Sequence, residues 1–134
     1  MNKEELIQKA IEARELAYAP YSNFSVGAVV LTDSGKIYTG CNIENAAYPV
    51  TCCAERTAIF SAIANGEKNF TALAVVADTE KPVSPCGSCR QVMSEFFQAS
   101  TPVTMANLKG ETVTFSVSEL LPLSFGLKQL PEDR

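Results

Sequence analysis

Residues 70–78, FTALAVVAD, form a nearly unbroken apolar run of strand length. A strand with one face to water alternates apolar and polar side chains, so this run reads as a strand covered on both faces. It needs a sheet on either side and helices above and below, and the neighbouring segments supply them. Asn2 with Glu5 three residues later has the pattern of a capping box, and Leu6, Ala10, Ala13 and Ala17 recur at helical spacing up to Pro20. A first helix is predicted there. CAERTAIFSAIANG (53–66) puts Ala54, Ala58, Ile59, Ala62 and Ile63 on one face ahead of a capping Gly66, and CGSCRQVMSEFF (86–97) reads as a third helix.

SVGAVVLT (25–32) and KIYTGCNIE (36–44) are β-rich and joined by Asp33, Ser34 and Gly35, a hairpin signal. TPVTMANL (101–108) reads as a strand, the following KG as a turn, ETVTFSV (111–117) as a weaker strand and 118–122 as a short helical turn. This order predicts a mixed sheet with helices on both faces, a three-layer α/β/α sandwich, while leaving the strand order open. A chain of 134 residues suits one domain spanning 1–134, with a loose polar tail at 128–134.

The N-terminal stretch is charged and periodic, unlike the apolar core of a signal peptide or an Arg/Ser-rich transit peptide, and no segment approaches a membrane span. A cytoplasmic location is expected. The net charge of −4 argues against a polynucleotide partner, which needs a basic groove to replace phosphate counterions. Histidine is absent, which removes every imidazole-based scheme of nucleophilic catalysis and every His-ligated metal.

The five cysteines are Cys41, Cys52, Cys53, Cys86 and Cys89. In a reducing compartment such clustering points to metal or catalysis rather than disulfides. Cys86 and Cys89 after Pro85 have the spacing of half a zinc site, and a helix start favours their negative charge. The same C-x-x-C also fits a thiol redox pair. A closed structural zinc site needs four ligands, and adjacent Cys52 and Cys53 diverge too sharply to chelate one ion comfortably. A three-ligand site with an open position is the more economical reading.

Cys53, Ala54 and Glu55 with Pro85-Cys86-Gly87-Ser88-Cys89 resemble the signature of zinc-dependent nucleoside and nucleobase deaminases, with cysteine in place of histidine. With NIENAAYP (42–49) and LLPLSF (120–125), the resemblance is to the small, three-cysteine, homotetrameric cytidine deaminases, and it runs from about Tyr18 to Phe125. It implies a cytidine deaminase-like fold, one Zn²⁺ per chain on Cys53, Cys86 and Cys89, and hydrolysis of cytidine and deoxycytidine to uridine and deoxyuridine with release of ammonia, in pyrimidine salvage. Glu55 would carry protons from water to ring nitrogen 3 and then to the leaving amino group.

Three thiolates would leave zinc with a net negative charge of about one unit, which opposes acidification of water. Arg56 and Arg90 are expected to offset it by hydrogen bonds to the sulfurs. By resemblance, Phe24 packs on the pyrimidine, Ala54 touches it, and Asn42 and Glu44 bind ribose hydroxyls. Alternation in a strand would point residues 42 and 44 to one side. A carboxylate beside the sugar would disfavour phosphorylated substrates. Ala46, Tyr48 and Phe125 would complete a neighbouring subunit's site. Cys41 is expected to be a small buried hydrophobe and Cys52 a bystander. The competing readings are a deaminase of another amino-pyrimidine, a structural zinc module, and thiol redox chemistry at Cys86 and Cys89.

Overall fold

In the computed structural model, which describes residues 1–131, Asn2 caps the first helix, α1 (Lys3–Arg14). The Asn2 side chain accepts from the Glu5 N–H at 2.8 Å while the Asn2 N–H donates to Glu5 Oε1 at 3.1 Å, the predicted reciprocal pair. The helix stops at Arg14 rather than running to Pro20. The reason is tertiary: the Tyr18 N–H donates to the Asn42 carbonyl and the Tyr18 carbonyl accepts from the Glu44 N–H, both at 2.9 Å, which pulls the chain out of helix.

The chain continues through β1 (Val26–Thr32), β2 (Ile37–Cys41), α2 (Ala54–Ala64), β3 (Phe70–Ala77), α3 (Gly87–Phe96), β4 (Pro102–Asn107), β5 (Thr112–Ser116) and α4 (Val117–Leu120). The sheet order is β2-β1-β3-β4-β5. Among the described strands β3 and β4 pair in parallel, as α3 crosses between them, and the other neighbours are antiparallel. The apolar run becomes the central strand, with Ala74, Val75, Val76 and Ala77 fully buried.

Each face has its own core. Leu6 and Ala10 of α1 pack on Val29, Ala74, Val76 and Ala106. On the other face Ala54, Ala58 and Ile59 of α2, Cys89 and Met93 of α3, and Val117 and Leu120 of α4 pack with Val30, Leu73, Val75 and Met105. These are the expected three layers. β2 is shorter than expected, ending at Cys41, because Ile43 forms isolated bridges to both Tyr18 and Cys52 instead of continuing the hairpin. Leu127–Gln129 form a 3-10 turn in the segment expected to be loose, and the last three residues of that tail lie outside the described residues. Among the described residues no helix is long and apolar enough to cross a membrane.

Two glycines set the layer spacing. A Cβ on Gly27 would lie 2.0 Å from the Ala10 carbonyl oxygen of α1. On the opposite face a Cβ on Gly40 would lie 2.4 Å from the Ala58 nitrogen and 2.5 Å from the Ala54 carbonyl oxygen of α2. These neighbours are helix backbone and cannot rotate away. Gly40→Ala should therefore destabilise the protein by about 2 kcal/mol or more, a fall in Tm of roughly 6 °C or more by thermal denaturation. An unchanged Tm would show that α2 does not rest on β2 in this way.

Candidate active site

α2 and α3 both begin at a cysteine on the same face of the sheet. Cys53 is the N-cap residue of α2 and Cys86 that of α3, and neither side chain makes a capping hydrogen bond to its own helix. Cys89 lies three residues after Cys86, one turn along the same helix face. The three sulfurs lie within 4.8 Å of one another, with Cys53 and Cys86 3.8 Å apart. Tetrahedral zinc with Zn–S bonds of about 2.3 Å spaces its sulfurs by about 3.8 Å, so the donor set and its spacing fit that ion. Cys52 is paired through its backbone with Ile43 and lies outside the cluster. Burial pushes its thiol and that of Cys41 up from their ordinary values.

The sulfurs are electrostatically linked to their surroundings. A hydrogen bond from Cys89 and another from Arg56 hold the Cys53 thiol down at about 5. The Arg56 Nη2 to Cys53 Sγ distance is 3.3 Å. Cys53 and Cys86 both sit at helix N-termini, whose partial positive charge favours a thiolate. Arg90 behaves differently from expectation. Its guanidinium donates to the Pro85 carbonyl at 2.8 Å, the Leu120 carbonyl at 2.9 Å and Ser84 Oγ at 2.7 Å rather than to a sulfur. Those acceptors come from the loop before Cys86 and the end of α4, so the Arg90 hydrogen bonds fasten that loop and do not reach the sulfurs.

Glu55 follows in the first turn of α2 and is only 4% exposed. Burial, reinforced by the negative charge of Cys53, pushes its carboxyl up to about 7. A carboxyl that titrates near neutrality is suited to taking up and releasing protons. It opens on a cavity of about 310 Å³ lined also by Phe24, Val26, Asn42, Glu44, Cys53, Ala54, Val83, Ser84 and Cys86. The cavity is at the small end of ligand pockets and suits a small molecule.

Phe24 lines this cavity while 40% exposed. Asn42 is buried, accepting from the Val26 N–H at 2.9 Å and donating to the Phe24 carbonyl at 2.8 Å. Glu44 accepts from the Tyr21 and Ser22 N–H groups at 3.0 and 3.1 Å and from the Ser22 hydroxyl. The Ser22 hydroxyl holds the Glu44 carboxyl below its ordinary value. Residues 42 and 44 reach one cavity even though β2 has ended, because the bridges at Ile43 keep the chain extended.

Tyr48 stands edge-on to Tyr21 over an adjoining hollow that shares Ser22, Glu44 and Thr51 with the cavity. Ala46 is exposed and outside the cavity lining. Phe125 is 59% exposed, also outside it, with its carbonyl accepting from Gln91 at 2.9 Å. Sequence reasoning missed Ser22, Val26, Thr51, Val83 and Ser84. The apolar-then-polar run VSP directly ahead of Cys86 is the signal that a wall of the site lay there.

A family model described as the cytidine and deoxycytidylate deaminase zinc-binding region matches residues 1–105. A cytidine deaminase of Sporosarcina psychrophila is 56% identical over 130 residues, covering 97% of this chain and 96% of that one. A cytidine deaminase of Halalkalibacterium halodurans is 54% identical, covering 93% and 95%. Among solved structures, the cytidine deaminase of Burkholderia pseudomallei superposes with a TM-score of 0.91 at 50% identity, over 93% of this chain and all of that one.

The three Arg90 bonds make a separate prediction. Arg90→Ala strands two carbonyls and a hydroxyl and should cost about 1–3 kcal/mol, seen as a lower denaturation midpoint. A midpoint within error of the wild type would show that the guanidinium is not the fastening.

Proposed function

The chain belongs to the cytidine and deoxycytidylate deaminase family and is a zinc-dependent deaminase of cytidine, and we propose that Cys53, Cys86 and Cys89 hold its metal and that Glu55 moves its protons. The observation that carries this reading is the buried carboxyl of Glu55 beside three converging sulfurs on one small cavity. The reaction takes cytidine or deoxycytidine and water to uridine or deoxyuridine and ammonia, in pyrimidine salvage. Residues 1–134 serve as one catalytic domain, working in the cytoplasm.

Zinc, when bound, supplies Lewis acidity that activates water at neutral pH. Glu55 accepts one proton of the attacking water and delivers it to ring nitrogen 3, which makes carbon 4 electrophilic, and the water oxygen bonds to carbon 4. Glu55 then conveys the second proton to the amino group, which departs as ammonia, and the carboxylate is regenerated. A carboxyl poised near neutrality can serve in both directions. Arg56 offsets the excess negative charge of the thiolates, supported by its 3.3 Å contact with Cys53.

Phe24, with Val26 and Val83, forms apolar walls for the base, next to Ala54. Asn42 and Glu44 face the sugar, and the Glu44 carboxylate disfavours a phosphate there, so the free nucleoside is preferred. Assembly as a homotetramer, with Ala46, Tyr48 and Phe125 completing neighbouring sites, is supported by apolar exposure. Leu123 is fully exposed, and Phe125, Leu127, Tyr48 and Val50 are mostly so. Single chains rarely expose such groups together.

Glu55→Gln should retain one zinc per chain while kcat for cytidine falls by roughly 10³-fold or more. Retained turnover would remove Glu55 from the reaction. Cys53→Ser should lose zinc and Cys52→Ser should keep it, by metal analysis of the purified proteins; the reverse would reassign the ligand. Sedimentation equilibrium should give four chains per particle, and a monomer active at nanomolar concentration would contradict shared sites.

A further inference from the structure

Phe24 is positioned by side chains. It lies ahead of β1, in a loop that reverses at Asn23, whose φ of 56° is left-handed and whose N–H donates to the Ala19 carbonyl at 2.9 Å. The Phe24 N–H donates to Ser22 Oγ at 3.0 Å, and its carbonyl accepts from Asn42 Nδ2 at 2.8 Å. Both backbone polar groups of the aromatic wall are therefore held by hydroxyl or amide groups of other residues.

The Ser22 end of this arrangement is directional. A serine hydroxyl has one proton to donate and two lone pairs to accept with. Its proton goes to Glu44 Oε2, a carboxylate that can only accept, so a lone pair is left to face the Phe24 N–H. Glu44 Oε1 meanwhile takes the Tyr21 and Ser22 N–H groups. We propose that Ser22 is a positioning residue whose hydroxyl couples the Glu44 carboxylate to the backbone of Phe24, and so sets the aromatic wall of the cavity against the base. This rests on the reading that the cavity takes a pyrimidine nucleoside with Phe24 against its ring.

The consequence is a binding effect rather than a chemical one. An aromatic wall contacts base and transition state alike, and losing such uniform binding raises KM with kcat unchanged. The test is steady-state kinetics on cytidine with the full-length zinc-loaded protein and the variants Ser22→Ala, Ser22→Thr, Phe24→Ala and Ser22→Ala/Phe24→Ala. Phe24→Ala is expected to raise KM roughly tenfold or more, as loss of a base-stacking ring does. Ser22→Ala is expected to raise KM roughly fivefold with kcat within about twofold of wild type. Ser22→Thr, which keeps the hydroxyl, should restore KM, and in the Phe24→Ala background Ser22→Ala should raise KM by less than about half the factor it does in the wild type, the remainder acting through Glu44 on the sugar.

The proposal is overturned if Ser22→Ala leaves KM unchanged while Phe24→Ala raises it, or if Ser22→Ala lowers kcat at constant KM. It is equally overturned if Ser22→Ala keeps its full effect without the Phe24 ring. An unaltered KM in Phe24→Ala would instead overturn the placement of the base against Phe24, and the coupling with it.

Discussion

At Gly40 the backbone of α2 comes so close to β2 that a single methyl group would meet the Ala58 nitrogen and the Ala54 carbonyl oxygen. Ala54 and Ala58, fully buried and small, complete this approach from the helix side. The same turn of α2 carries Cys53 as N-cap residue and Glu55 as its first acid. The depth at which α2 sits therefore fixes both the sulfur and the carboxyl against the sheet. α3 is fixed independently by the crossover from β3 to β4, the parallel connection, with Cys89 and Met93 buried against the shared core. Two rigid helices entering one core bring their N-termini to a common point, and the site is that point.

Three thiols and a carboxyl gathered at one place are costly to ionise together unless the charge is balanced. Histidine is absent, so no neutral imidazole dilutes the negative charge. The balance comes from the helix N-termini and from Arg56, whose contact with Cys53 helps hold that thiol near 5. Glu55, two residues on, experiences the opposite environment, and burial holds its proton to about neutrality. Two acids two positions apart are thus driven in opposite directions.

The legible parts of the sequence were those whose cause is local. The Asn2 capping box, the apolar strand at 70–77 and the helices opening at Cys53 and Cys86 each follow from spacing within a dozen residues. What escaped depended on distant partners. α1 ends early because Tyr18 is recruited by Asn42 and Glu44, and β2 ends early because Ile43 bridges two segments at once. Arg90 beside Cys89 looked like a partner for sulfur, but its acceptors are carbonyls 5 and 30 residues away. Asn42 and Glu44 were assigned to one side by strand alternation. They reach one cavity through a bridged, extended segment instead, tied to the loop that carries Phe24.

The account depends most on a metal held by three sulfurs with one position left for chemistry, and X-ray absorption at the zinc edge of the purified protein tests that directly. Three sulfur scatterers at about 2.3 Å with one oxygen or nitrogen scatterer near 2.0 Å are predicted. A shell of four sulfurs, with Cys52 or Cys41 recruited and no open position, would contradict it.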